Sequence, residues 1–187
     1  MANVRLEEVP ESDRQYELVG GVKVWLPLRS VYAHCLAKVL WQELCSYLDG
    51  RDLGRAYLHM MYDLGLPGEV CRRPSVSCLS YQRWPKGRRF CPTAEALDAI
   101  PELVAEVLGP DDLSEGTLER VENYFAAGVC QVWLFYPMRK VVHLFNSFTS
   151  VRAATVGDTL DAGAVLPGFR LRLEPLLHNP PRRQDER

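Results

Sequence analysis

The sequence predicts an α/β protein, with helices packed on a mixed β-sheet. Two observations carry that expectation. Helix-like and strand-like segments follow the order hairpin, long helix, several strands, helix, strands. The composition is that of an ordinary globular domain, 47% hydrophobic and 25% charged over 187 residues, long enough to bury one sizeable core.

Residues 1–15 are polar without periodicity and read as a flexible lead-in to one domain spanning 16–177. Two strand-like runs lie between Tyr16 and Leu28. Gly20-Gly21 splits them, and a Gly-Gly pair supplies the positive φ of a two-residue hairpin turn. Ser30 to Gly50 reads as the main helix. Ser30 can cap it. Val31, Cys35, Leu36, Val39, Leu40, Leu44, Tyr47 and Leu48 form its apolar stripe, and Gly50 closes it.

Residues 54–64 and 69–80 read as strands joined through Gly65-Leu66-Pro67-Gly68. Residues 81–100 form a long polar connection, within which Thr93 to Ala99 is expected as a short helix. A proline-bounded strand follows at 101–110, then a helix from Ser114 to about Ala127, ended by Gly128. Strands are expected at 129–136 and 140–146, and shorter ones near 150–156 and 169–173. Residues 178–187, rich in arginine, read as a frayed basic tail.

The charge excludes some functions. With 24 acidic and 22 basic residues the formal charge is −2, so bulk positive charge cannot coat nucleic acid. The six cysteines include no C-x-x-C pair, which argues against a structural zinc site and for small buried thiols. There is no apolar run of membrane-spanning length and no signal-peptide core, so a cytoplasmic protein without a membrane partner is expected. A homodimer is the default assembly, C₂ pairs being commonest.

Two features could carry chemistry. Glu106 lies inside an apolar strand, where a carboxylate is costly unless paired or bound to a metal; pointing outward is the alternative. The stretch Arg83-Trp84-Pro85-Lys86-Gly87-Arg88-Arg89 holds four cations and an aromatic ring. It could grip a phosphate backbone through Arg83, Lys86, Arg88 and Arg89, or be a solvated loop. His34 on the long helix reads as a structural histidine.

Five segments, in order, resemble the bacterial restriction-endonuclease family called Uma-two, a branch of the PD-(D/E)xK nuclease superfamily. They are YELVGG at 16–21, CRRPSVSCLS at 71–80, PELVAEVLGPDD at 101–112, ENYFAAGVCQVWLFYP at 122–137 and GDTLDAGAVLPGFRLRLEPLL at 157–177. His34 also stands where that family often has a histidine.

The resemblance implies a restriction-endonuclease-like fold, a mixed sheet flanked by helices. It also implies Mg²⁺-dependent cleavage of phosphodiesters. Carboxylates hold the hard ion, the ion activates a water, and a lysine stabilises the developing charge.

Carried over, the resemblance makes Glu106 a metal ligand and keeps Glu17. Ser75 stands in place of the first metal-binding aspartate, Arg120 in place of the lysine, and Tyr136 in place of an acid. Asp63, Asp111, Asp112 or Glu17 could replace the missing ligand. Two functions follow. One is a metal-dependent endonuclease acting through Glu106, Arg120, Glu17 and Ser75. The other is a catalytically degenerate nuclease fold that binds nucleic acid or a protein.

Overall fold

A computed structural model describes residue 10, residues 14–109 and residues 114–178. Most of the lead-in, the basic tail after 178, and Asp111 and Asp112 lie outside the described residues.

The hairpin pairs β1 (Tyr16–Val19) with β2 (Val22–Trp25), Val19 opposite Val22. Its turn needs positive φ twice, and Gly20 and Gly21 provide +63° and +72°. In α1 (Val31–Leu48) the Ser30 hydroxyl accepts the Ala33 N–H at 3.1 Å, the expected cap. The buried face of α1 is Ala33, Leu36, Ala37, Leu40, Leu44 and Leu48, recurring at helical spacing.

Each of the two strands expected next is broken. The first divides into β3 (Gly54–Leu58) and β4 (Tyr62–Asp63). The break is at His59, whose φ of +53° is outside the range of a continuing strand. The second divides into β5 (Cys71–Arg72) and β6 (Val76–Ser80) across Pro74, which has no N–H for a ladder. No helix forms over Thr93–Ala99. That segment makes turns and β7 (Leu97–Asp98), because the Leu97 N–H is taken by the Met61 carbonyl at 2.8 Å. Tertiary pairing overrides the local cap signal.

β8 (Leu103–Val107), α2 (Ser114–Ala127) and β9 (Gln131–Tyr136) follow. β8 and β9 pair in parallel, so the connection must cross over, and α2 is the crossover helix. β10 (Val141–Ser147) and β11 (Ser150–Thr155) extend the sheet. β12 (Thr159–Asp161), β13 (Arg170–Arg172) and α3 (Leu173–His178) complete the described chain. Of these last three, only β13 was expected.

The main sheet has the order β11-β10-β9-β8-β6-β3, antiparallel except at β8–β9. A smaller sheet runs β2-β1-β5-β4-β7, and β12 pairs with β13. Alternation along β8 sorts the core. Leu103, Ala105 and Val107 join the apolar cluster under α1, whereas Val104 and Leu108 join the cluster containing Val121 and Tyr124 of α2. Glu106 shares the α2 side with Val104 and Leu108.

Among the described residues, no helix is long and apolar enough to cross a membrane. The six cysteines are free thiols. Cys71 and Cys78 are buried as expected, but Cys91 and Cys130 are exposed.

Candidate active site

Glu106 points inward and is 1% exposed, which excludes the outward alternative. Burial of a carboxylate in an apolar layer demands partners. Tyr124, on the facing side of α2, donates its hydroxyl to Glu106 Oε1 at 2.7 Å. On Oε2, Glu106 accepts the Ser75 backbone N–H at 3.2 Å and the Ser75 hydroxyl at 3.1 Å. The Arg29 guanidinium lies 3.8 Å from the same oxygen.

Arg29 comes from the residue just before the cap of α1. Its Nη1 donates to Ser75 Oγ at 2.7 Å and to the Val107 carbonyl at 2.8 Å. Ser75 Oγ also accepts the Val107 N–H at 2.9 Å. Ser75 is therefore fully used, donating one bond and accepting two. Burial and the charges of Glu106 and Glu17 push the Tyr124 phenol well above its ordinary range, so Tyr124 remains a hydrogen donor at every physiological pH.

The second half of the site is centred on Glu17, also 1% exposed. Pairing of β1 with β5 sets Leu18 opposite Cys71 and so brings Glu17 beside Arg72. Arg72 Nη1 reaches Glu17 Oε2 at 3.0 Å, and Arg120 Nε lies 3.2 Å from the same oxygen. The Arg73 N–H donates to Glu17 Oε1 at 2.9 Å.

Arg72 continues to Glu119 at 2.7 Å and to Asn123 through Nε at 3.0 Å. On α2, Glu119 stacks with Asn123 and Arg120 with Tyr124, each pair four positions apart. Ser75 thus meets Glu106, and Arg120 meets Glu17; Tyr124 lies between the two groups, bonded to Glu106 and within the electrostatic influence of Glu17 and Arg120. Sequence reasoning missed Arg29 and Tyr124.

Two histidines flank the site. His34 of α1 stacks on His59 with ring centroids 6.0 Å apart. The His59 N–H donates to the Ser75 carbonyl at 3.1 Å, and its own carbonyl accepts from Arg73 at 3.0 Å. Its Nδ1 is buried without a hydrogen-bond partner. Burial first, then the nearby charges of Arg29, His34 and Arg73, lower its pKa to about 4.

A histidine held neutral in the fold has a consequence for pH. The unfolded chain takes up a proton near pH 6.5 and the folded chain only near 4. Stability should therefore fall as pH drops from 6.5 to 4 and level off below. Because the imidazole keeps some contact with water, the loss is about 1–2 kcal/mol. H59N should flatten that limb, and asparagine tolerates the positive φ. Denaturant melts across this pH range measure it; an unchanged slope in H59N would refute the assignment.

Other expected site residues lie elsewhere. Asp63 is exposed and accepts the Gly65 N–H at 2.9 Å in a tight turn. Tyr136 packs its ring 4.9 Å from that of His143. In the cationic stretch, Arg83 is turned inward to Glu102 at 3.1 Å and to the carbonyls of Ile100 and Gly128, both at 3.1 Å. It ties the long connection to the sheet edge. Lys86, Arg88 and Arg89 are on the surface. Lys86 pairs with Asp52 at 2.6 Å, and Arg88 lies 4.0 Å over the Trp84 ring.

The donor set does not fit a divalent metal. Such an ion wants several oxygen ligands, most of them anionic. Among the described residues, one carboxylate, Glu106, faces this point, and its partner position is the hydroxyl of Ser75. The guanidinium N–H groups of Arg29 point at the same oxygens. Glu17 is held by two arginines. Among the described residues, no group of three or more acidic, histidine or cysteine side chains is arranged to hold a metal.

The mixed sheet between helices, with Glu106 buried on its central strand, is a fold shared with a solved nuclease-family structure. That structure, "a putative nuclease belonging to DUF820" from Anabaena variabilis, superposes with a TM-score of 0.78. It is 16% identical, over 94% of this chain and 98% of the other. The profile of the Uma2 family, described as "putative restriction endonuclease", matches residues 4–174, and this chain belongs to that family. No curated protein matches.

Proposed function

We propose that this chain is a nucleic-acid-binding member of the Uma2 family in which metal-dependent phosphodiester cleavage has been given up. The observation that carries this reading is the closure of Glu106. Its oxygens take the Tyr124 hydroxyl and both donors of Ser75, with Arg29 as counter-ion. Arg120 does not replace a catalytic lysine, because its guanidinium is paired with Glu17 and cannot release a proton.

Binding is assigned to the exposed cations of the long connection. Lys86 lies over the Tyr81 ring, on the wall of an open cleft of about 810 Å³ also lined by Arg51 and Arg55. Cations set beside aromatic rings suit a phosphate backbone with stacked bases. A cytoplasmic location accords with such a partner and with exposed free thiols at Cys91 and Cys130.

Fluorescence anisotropy with labelled DNA and RNA tests the reading. Binding should persist in EDTA and should not be strengthened by Mg²⁺, and neither condition should give cleavage. The triple variant K86A/R88A/R89A should bind more weakly and lower the salt slope by roughly two to three. R83A should leave the slope unchanged while costing about 1–2 kcal/mol of stability.

A second reading, the active metal-dependent endonuclease, is favoured by the retention of Glu106 on its strand and by the family match. Cleavage in Mg²⁺ or Mn²⁺ that is abolished by E106A would establish it and overturn the first.

A further inference from the structure

We infer that Arg29 is a built-in substitute for a metal ion: its guanidinium occupies the one point toward which the oxygens of this site converge. The inference rests on reading the site as one without a divalent metal, and it says what replaced that metal. Three oxygens from separate parts of the chain surround the guanidinium. Ser75 Oγ lies at 2.7 Å, the Val107 carbonyl at 2.8 Å and Glu106 Oε2 at 3.8 Å. A side-chain oxygen, a main-chain carbonyl and a carboxylate facing one point are the ligand types a hard cation uses. Here the positive charge is covalently part of the chain.

The placement of Arg29 is enforced. The Leu26 N–H is tied to the Gln15 carbonyl at 2.8 Å, and Ser30 caps α1, so the short link between hairpin and helix is fixed at both ends. The planar fork then spans Ser75 and the end of β8. The Arg29 side chain is 18% exposed, so the point it fills is within reach of solvent.

One consequence is not obvious from the substitution at position 75. Restoring aspartate there would give Arg29 a better partner, a carboxylate it can grip with two N–H groups. The cation position would stay filled. A metal site returns only when Arg29 is removed as well.

The test is titration of Mn²⁺ into the full chain by calorimetry. The natural protein, S75D and R29K/S75D should give no saturable binding. R29M/S75D should bind Mn²⁺ saturably, and adding E106Q should abolish that binding. Thermal melting of R29M/S75D provides a second readout: Mn²⁺ should raise its melting temperature and leave that of the natural protein unchanged. The inference is overturned if S75D binds as well as R29M/S75D. It is also overturned if folded R29M/S75D does not respond to Mn²⁺. That second outcome, with no cleavage by the natural chain, would sink this inference alone. Metal-dependent cleavage by the natural chain would sink the functional reading with it.

Discussion

E106Q lowers the melting temperature by roughly 4–8 °C, although the change is nearly isosteric. The amide can turn its oxygen toward Ser75 and keep both of that residue's donors. Tyr124 can rotate its hydroxyl to accept from the new NH₂. The negative charge facing Arg29 cannot be recovered, and a largely buried guanidinium is left without its counter-ion. That costs about 2 kcal/mol. The sign is informative. In a centre built to hold a metal, an unfilled carboxylate repels its neighbours, and neutralising it raises stability. Thermal denaturation in EDTA distinguishes the two, and a higher melting temperature for E106Q would contradict the closed site.

E17A has a larger effect still. Glu17 is 1% exposed and neutralises Arg72 and Arg120 together while accepting the Arg73 N–H. Its removal takes the shared carboxylate from two guanidinium groups, of which Arg72 has a side chain only 5% exposed. Breaking a buried pair from one side costs about 3–5 kcal/mol. Glu119 and Asn123 still contact Arg72, which holds the loss to that range. Urea denaturation should show a lower midpoint with an unchanged slope. A loss under about 1 kcal/mol would mean that the network is not the structural centre of this end of the sheet.

Much of the fold was legible because its signals are local. Gly20-Gly21 specifies a two-residue turn by dihedral angle alone, and Ser30 caps α1 through an N–H three residues away. The unit of β8, α2 and β9 was equally clear, since proline, glycine and apolar period mark its ends. The short helix expected at 93–99 failed because Leu97 is claimed by Met61, a partner no local window includes. β12 and α3 are too short to carry a period.

The site was legible only in part. A buried acid on an apolar strand drew attention to Glu106, and the ordered resemblance to Glu17, Ser75 and Arg120. Arg29 gave no signal, since an arginine before a helix cap looks like an ordinary surface residue. Its contacts lie 46 and 78 positions away, and only the assembled fold brings them together. Tyr124 gave no signal either, since an aromatic on an amphipathic helix looks like core packing and says nothing of where its hydroxyl bonds. Arg83 was read from its charge, whereas its bonds to Glu102 and to the carbonyls of Ile100 and Gly128 make it a strut.

The central claim is that Arg29, not a metal, neutralises Glu106 in the natural protein. Its most direct test is the melting temperature of the natural chain in EDTA and in millimolar Mn²⁺. Any ligand that binds only the folded state raises that temperature, by an amount that grows with the logarithm of ligand concentration once this exceeds the Kd. Coincident melts are expected. A rise in Mn²⁺ that disappears in E106Q would contradict the claim.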